Sequence, residues 1–272
     1  MGKFDGKVVI VTGSSAGIGQ ATAVAFAKEG AKVTIHGQNN DRLKATEKLM
    51  LEAGSKIEKI WIVSGSVEDE DVLKKIVDET VKKFGKIDIL INNVGIAQKP
   101  GTTDIFTFDN FDYVFQVNLR SVVKLSWLAM PHLEKTHGNV INVSSIGSLR
   151  PYPPTMYYTM AKAALDHFTK TMAVIYGPKG VRVNSLNPGA IETQFMMRHG
   201  ISAETQKHIF ENTMAPNTPM KRVGTPEEMA NVLLFLASEQ ASYMTGSIVV
   251  ADGGRSLHND SATIDPKLLN VK

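Results

Sequence analysis

A tyrosine and a lysine four residues apart form the pattern in this 272-residue chain that most clearly suggests chemistry. Tyr158 and Lys162 lie in a stretch of helical composition, 156–176, so their side chains would share one helix face. A phenol ordinarily titrates at about pH 10. A nearby ammonium favours the phenolate, so we expect the pKa of Tyr158 to be lowered toward physiological pH. Tyr157 is a rival, but Ala161 stands four residues after it, so the spacing selects Tyr158.

Three glycines follow the first apolar strand at a spacing that suits a phosphate-binding turn. The predicted strand 8–11 leads through Gly13 into a helix predicted over 17–29. Such a junction presents backbone amides and the positive end of a helix dipole to a pyrophosphate. Gly13 would permit the tight turn, Gly17 the close approach of a ligand, and Gly19 the packing of helix on sheet. A purely structural glycine turn is the alternative.

Short apolar strands alternate with helices along most of the chain. We predict strands at 8–11, 33–35, 60–63, 87–91, 140–143, 181–186 and 247–250, and helices at 17–29, 41–53, 68–84, 109–136, 156–176 and from 225 onward. This pattern predicts a doubly wound, Rossmann-type α/β sandwich of three layers with a mainly parallel seven-stranded sheet. Residues 1–254 would form one dinucleotide-binding and catalytic domain. Residues 255–272 would form a polar tail that is either a disordered end or a segment docking on a neighbouring subunit.

The composition argues against several function classes. The chain has no cysteine, which excludes disulfides and thiolate chemistry, so a redox reaction would need a bound electron carrier. The net charge is +3 without a basic cluster, so no nucleic-acid partner is expected. The seven histidines lack the spacing of a metal site, and no metal is expected. There is no signal-peptide pattern and no apolar run of roughly 18 residues, so we expect a cytoplasmic protein without a membrane span.

The glycine turn, T-G-x-x-x-G-x-G, resembles that of the short-chain dehydrogenase/reductase family. Further motifs carry the resemblance in order between about Lys3 and Gly254: Asn92-Asn93-Val94-Gly95, Asn118, Ser145, Tyr158, Lys162, Asn187-Pro188-Gly189 and Thr193. Val94 stands where alanine is usual in the family, and we expect little consequence. The resemblance implies an NAD(P)-dependent oxidoreductase that transfers hydride between a nicotinamide and a carbonyl or secondary alcohol. A non-catalytic NAD(P)-binding sensor or scaffold is the alternative function.

The resemblance also implies roles for individual residues. Tyr158 would be the acid/base, Ser145 would hold the substrate oxygen, and Lys162 would bind the nicotinamide ribose. Asn118 would organise a water molecule in a proton relay, or would alternatively only cap or kink its helix, and Ser144 is expected to be structural. The expected cofactor contacts are Gly13, Ser15, Gly17, Ile18, Gly19, Gln38, Ser66, Val67, Asn93, Gly95, Tyr158, Lys162, Pro188, Gly189, Ile191 and Thr193.

The end of the second strand bears on the choice of cofactor. NAD enzymes usually place an acid there for the ribose hydroxyls, whereas Gly37 stands at that point and no carboxylate follows until Asp41. A 2′-phosphate would therefore meet no repulsion. Gln38 stands where NADP-preferring relatives often carry arginine, so the positive charge is also missing. We expect NADP(H) to be preferred, with NAD(H) as the alternative cofactor.

Apolar side chains concentrate in the stretch 190–222, and residues 151–156 form a second apolar lip. Methionine, abundant here, adapts to irregular apolar surfaces. The pattern predicts a mobile lid over a lipophilic carbonyl or alcohol, and a subunit contact or ordinary loop core is the alternative. The family resemblance implies a homo-oligomer, either a tetramer or a dimer, acting on a small-molecule substrate.

Overall fold

Seven strands, all parallel, form one sheet in the order β3-β2-β1-β4-β5-β6-β7 in the computed structural model, which describes residues 2–257. They are β1 (Val8–Val11), β2 (Lys32–Gly37), β3 (Ile60–Ser64), β4 (Ile89–Asn92), β5 (Asn139–Val143), β6 (Arg182–Pro188) and β7 (Ile248–Ala251). The strand order reverses between β1 and β4, which is where such sheets bind ligands. The predicted doubly wound fold is therefore confirmed, and every pair of neighbouring strands is parallel.

Within the described residues, eight α-helices connect the strands or follow them. They are α1 (Gly17–Lys28), α2 (Asn40–Glu52), α3 (Glu70–Phe84), α4 (Phe108–Phe115), α5 (Ser121–Thr136), α6 (Met156–Tyr176), α7 (Ala203–Ile209) and α8 (Pro226–Ala237). Of the helices between residues 2 and 257, none is long and apolar enough to cross a lipid bilayer.

Three local differences from the sequence prediction affect the site. The predicted helix 109–136 is interrupted by a π-helical turn, Gln116–Arg120, between α4 and α5. The stretch 190–222, for which no helix is predicted, contains α7 and a second π-helical turn, Phe210–Met214. The predicted tail starts with a short 3-10 turn, Arg255–Leu257, and its remaining residues, 258–272, lie outside the described residues.

Apolar cores lie on both faces of the sheet. On one face Val9 of β1 packs in a cluster with Phe26 of α1, and on the other Ile10 packs in a cluster with Ile76 of α3 and Leu125 of α5. All five side chains are essentially inaccessible to water. Full burial stabilises each by about 1.5–3 kcal/mol. The two layers of helices therefore hold the sheet rigid, and the sheet holds its loops in place.

A buried polar network ties the middle of the sheet to two helices. The Asn92 side-chain amide donates to the Asn142 side-chain oxygen at 2.9 Å and to Ser126 of α5 at 3.1 Å. Asn142 in turn donates to Thr169 of α6 at 2.9 Å. Buried polar groups are costly unless paired, so this network favours one position of α6 along the sheet.

The glycine turn after β1 gives a stability prediction. A Cβ atom at Gly19 would lie 2.4 Å from the Gly13 carbonyl oxygen and 2.4 Å from the Asn93 side-chain nitrogen. We expect Gly19→Ala to lower the free energy of unfolding by about 1–3 kcal/mol, because backbone must move to relieve the overlap. Urea denaturation measures this difference.

Gly177 is the matched control, because a Cβ atom there would meet nothing within 4 Å. Gly177→Ala should change the free energy of unfolding by no more than about 0.5 kcal/mol. If the two variants were equally stable, the close packing at Gly19 would not be the constraint that we describe.

Candidate active site

The sequence-predicted residues converge on the carboxyl edge of the sheet. Four segments meet there because parallel strands all end on the same side. The glycine turn follows β1, Asn93 to Gly95 follow β4, Ser145 follows β5, and the stretch from Gly189 to Thr193 follows β6. The first turn of α6 brings Tyr158 to this edge.

Lys162 lies buried between α6 and the end of β5. Its ammonium nitrogen donates to the Val143 carbonyl oxygen at 2.8 Å and lies 5.7 Å from the centroid of the Tyr158 ring. Burial lowers the pKa of Lys162 to about 8, and the negative charge of Asp166 partly opposes that shift. The helix therefore holds a cation, protonated at neutral pH, beneath the tyrosine.

The expected lowering of the Tyr158 pKa is wrong for the protein as the structure describes it. Burial raises the pKa of the phenol above its ordinary value, and the polar side chain of Ser145 beside it only partly opposes the rise. Ionising the phenol would place a charge in a poorly hydrated environment, which is costly. Tyr158 is therefore a protonated phenol at neutral pH, and the Ser145 side chain lies beside it.

Ser145 occupies a loop that is fixed from several sides. Its hydroxyl accepts a hydrogen bond from the Gly147 amide at 3.0 Å, and its carbonyl oxygen lies 3.1 Å from the side-chain nitrogen of Asn187. Ser144, expected to be structural, is buried, and its hydroxyl donates to the Lys162 carbonyl oxygen at 3.2 Å. The loop thus joins β5 to both α6 and β6.

Asn118 lies in the π-helical turn between α4 and α5. Its side-chain oxygen accepts from the Ile96 amide at 2.8 Å, and its side-chain nitrogen donates to the Ile96 carbonyl at 2.9 Å. A Cβ atom on Gly95 would lie 3.2 Å from the Asn118 oxygen and 3.3 Å from the Lys162 nitrogen. The missing side chain at Gly95 therefore lets Asn118 and Lys162 approach each other, and π-turns often occur at functional sites.

The N-terminus of α1 has the features of an anion site. Five other helices have a side-chain cap at their N-terminus, supplied by Asn39, Asp69, Thr107, Ser202 and Thr225. In α1 the N-cap residue is Ala16, which offers none, and the first turn holds no acid. Its amides are therefore available to a phosphate. Gly13 and Gly17 adopt positive φ angles of 65° and 59°, which favour glycine.

The segment after β6 lies directly on the phosphate turn. A Cβ atom on Gly17 would lie 3.1 Å from the Thr193 methyl carbon, and one on Gly189 would lie 2.7 Å from the Asp252 Cβ atom. Phe195 continues the segment to Tyr158, with 5.8 Å between the two ring centroids. The residues thus fit a dinucleotide running from the turn to Tyr158.

The residues predicted to bind the adenosine end also lie together. A Cβ atom on Gly37 would lie 3.0 Å from that of Ser15. The Gln38 amide donates to the Ser66 hydroxyl at 3.1 Å, and Ser66 donates to Glu68 at 2.9 Å. Val67 is buried beside them. Glu68 is a carboxylate that the sequence analysis did not place here.

The other predicted cofactor residues hold the loops of the site in place through hydrogen bonds and packing. Asn93 donates to the carbonyl oxygens of Thr12 at 2.9 Å and Gly13 at 3.2 Å, which holds the phosphate turn closed. Ile18 packs against the apolar core at the start of α1, and Ile191 is buried in a bridge with Gly224. Pro188 is the last residue of β6.

Two further features escaped the sequence analysis. The His199 ring accepts a hydrogen bond from the Ala97 amide at 3.1 Å, and burial lowers its pKa. This contact, across 102 residues of sequence, has no local signal. Asp166 is buried four residues after Lys162 on α6, so helical spacing alone could have found it.

Comparison with known proteins agrees with this geometry. Residues 13–256 match the family model described as enoyl-(acyl carrier protein) reductase. The chain is 34% identical over 268 residues to a 3beta-hydroxysteroid dehydrogenase of Mediterraneibacter gnavus, covering 93% of this chain and 96% of that protein. It is 35% identical over 266 residues to a glucose 1-dehydrogenase of Gluconobacter oxydans, covering 95% of each chain.

A solved structure gives the same result for the fold. A short-chain dehydrogenase/reductase of Caenorhabditis elegans, crystallised with cofactor, superposes with a TM-score of 0.91 at 38% sequence identity. The match covers 95% of this chain and 98% of that one. The chain therefore belongs to the short-chain dehydrogenase/reductase family of NAD(P)-dependent oxidoreductases.

Proposed function

We propose that the protein is an alcohol dehydrogenase or carbonyl reductase, with Tyr158 as acid/base and a lipophilic carbonyl or secondary alcohol as substrate. The observation that carries the proposal is the cluster at the start of α6. There the Tyr158 phenol lies beside the Ser145 side chain and above the buried ammonium of Lys162, 5.7 Å from its ring centroid. A sensor or scaffold would not need an acid, an oxygen-binding hydroxyl and a cation in one cluster.

Proton transfer is the task of the protein in this reaction. A bound nicotinamide supplies or accepts the hydride. The raised pKa of Tyr158 keeps its phenol protonated at neutral pH, which is the form that donates to a carbonyl oxygen during reduction. In alcohol oxidation the phenol must first release its own proton, and the resulting phenolate oxygen then accepts the proton of the substrate hydroxyl. The Ser145 side chain lies beside that phenol, so both groups would hold one substrate oxygen.

Lys162 and Asn118 would serve the tyrosine rather than the substrate. The Lys162 ammonium favours a negative charge on the phenol when the proton leaves. It would also bind the ribose hydroxyls of the nicotinamide nucleotide. Asn118 would hold a relay water near Lys162, and its contacts with Ile96 fix the loop against which that water would lie.

The residues around the phosphate turn would bind the rest of the cofactor. The uncapped amides of α1 would hold the pyrophosphate, Ile191 and Thr193 would hold the nicotinamide carboxamide, and Val67 would flank the adenine. NADP(H) is the preferred form in this proposal, because β2 ends without an acid at Gly37. The exposed side chain of Gln38 is the neighbour expected at the 2′ position.

The lid would select the substrate. The segment after β6 carries Phe195, Met196 and Met197, and Phe195 stacks obliquely against Tyr158. Such apolar cover favours a lipophilic substrate.

A homo-oligomer and a cytoplasmic location stay predictions. Half-exposed apolar side chains at Phe235 of α8 and Val250 of β7 offer a surface for the former.

The proposal predicts a specific loss in Tyr158→Phe. Removing the phenolic hydroxyl removes the proton donor, so kcat should fall by roughly 100-fold to 10 000-fold. The Kd for NADPH should change by less than about threefold, because the ring remains. Turnover assays with a panel of ketones and alcohols measure kcat. Titration followed by NADPH fluorescence measures the Kd.

Tyr157→Phe is the matched control. The Tyr157 hydroxyl donates to the Phe106 carbonyl at 2.9 Å and faces away from the cluster, so its loss should leave kcat within a few-fold of the wild type. Equal activity of Tyr158→Phe and the wild type would contradict the assigned acid/base.

Cofactor preference gives a second prediction. The wild type should show a higher kcat/KM for NADPH than for NADH. Gln38→Arg should raise the NADPH value by about tenfold through a charge-assisted hydrogen bond to the 2′-phosphate. Gln38→Asp should lower it by a similar factor and leave the NADH value nearly unchanged.

Gln38→Asn, which shortens the side chain without adding a charge, controls for local disturbance at the end of β2. A wild type that used NADH tenfold better than NADPH would contradict the preference. It would leave the assignment of Tyr158 untouched.

A further inference from the structure

A buried carboxylate outside the catalytic set occupies the centre of a polar network behind the active site. Asp166, on α6, is 6% exposed. One of its oxygens accepts from the Asn187 side chain at 2.7 Å and from the Ser148 hydroxyl, and the other lies 3.1 Å from the Ser185 hydroxyl. A buried charge needs several such donors.

The network ends on the loop of the oxygen-binding serine. The Ser145 carbonyl lies 2.7 Å from the Ser148 hydroxyl and 3.1 Å from the Asn187 side-chain nitrogen, and both donors also contact Asp166. Asn187 itself directly precedes Pro188, the last residue of β6. One carboxylate therefore ties together α6, the loop after β5 and the end of β6.

The same carboxylate lies one helical turn from Lys162, and its negative charge favours the ammonium form. The other groups facing the ammonium are the Tyr158 ring on α6, the Val143 carbonyl of β5 and the Asn118 amide of the π-helical turn, all of them uncharged at neutral pH. Asp166 is therefore the nearby charge that opposes the loss of the proton from Lys162.

We propose that Asp166 is a positioning residue that both fixes the Ser145 loop and keeps Lys162 charged. The first effect acts on geometry and the second on electrostatics. The consequence for turnover rests on the proposed function, whereas the effect on Lys162 is a property of the free protein.

Asp166→Asn separates the two effects because the side-chain amide of asparagine can take the place of the carboxylate in the network. The new side-chain oxygen would keep the hydrogen bonds from Ser148 and Asn187. The new amide nitrogen would donate to the Ser185 hydroxyl, whose own proton is directed to the Asn187 side-chain oxygen at 2.7 Å. The variant therefore loses the charge and keeps the contacts. Ser148→Ala does the reverse, since it removes the hydroxyl that contacts Asp166, the Ser145 carbonyl and the Asn187 side chain, and keeps the charge.

The decisive experiment follows the protonation of Lys162 by NMR. Protein labelled with ¹³C at the lysine ε carbons is titrated without cofactor or substrate, and the Lys162 signal is assigned by its absence in Lys162→Met. The signal should titrate near pH 8 in the wild type and in Ser148→Ala. In Asp166→Asn it should titrate lower by roughly one pH unit. An unchanged midpoint would overturn the electrostatic effect.

Activity provides the second readout. In Asp166→Asn the limb of the pH profile of kcat/KM that reports Lys162 should shift to lower pH, in the same direction as the NMR midpoint. In Ser148→Ala kcat should fall several-fold with the limb in place. A full-activity Ser148→Ala variant would overturn the geometric effect.

The neutral and smaller Asp166→Ser makes the same electrostatic comparison if Asp166→Asn does not fold. Because the NMR arm needs no turnover, a protein that reduces no carbonyl but shifts the Lys162 midpoint would contradict the proposed function alone. An active enzyme with an unshifted midpoint would contradict this inference alone.

Discussion

The ammonium of Lys162 is buried, and the rest of the site is organised around that fact. Desolvating a cation is costly unless neighbouring groups replace the lost water. Here the replacements are the Val143 carbonyl at 2.8 Å, the face of Tyr158 and the negative charge of Asp166. The carbonyl comes from the end of β5, and the other two groups come from the helical turns of α6 before and after Lys162. A helix displaced by one residue relative to the sheet would take the ammonium away from the Val143 carbonyl.

The fold supplies this precision through rigid elements. The amide network from Asn92 to Thr169 fixes α6 against β4 and β5, and the π-helical turn brings Asn118 to the same point. Gly95 leaves room for the approach. The phosphate turn at α1 and the segment after β6 lie against each other, through Gly17 and Thr193, at the same edge of the sheet. The carboxyl edge of a parallel sheet is where these separate segments come together.

Much of this arrangement follows from the sequence, because it depends on local patterns. Met156–Tyr176 has the predicted bounds, and the glycine turn lies between a strand and a helix as expected. The errors concern effects that need three dimensions. The direction of the Tyr158 pKa shift depends on how much water reaches the phenol. The contact between His199 and Ala97, across 102 residues, depends on how the loops fold. No spacing rule reports these quantities.

The central claim is that this cluster completes the transfer of a hydride to a carbonyl carbon by giving its oxygen a proton from Tyr158. Isotope transfer tests it most directly. NADPH and NADH carrying deuterium at both C4 positions are incubated with the enzyme and a panel of lipophilic ketones, and the alcohols are analysed by mass spectrometry. The account predicts one deuterium on the carbinol carbon of a product in the wild type, and almost none with Tyr158→Phe in the same time. Absence of deuterium from every product of the wild-type enzyme, or equal incorporation by the two proteins, would contradict it.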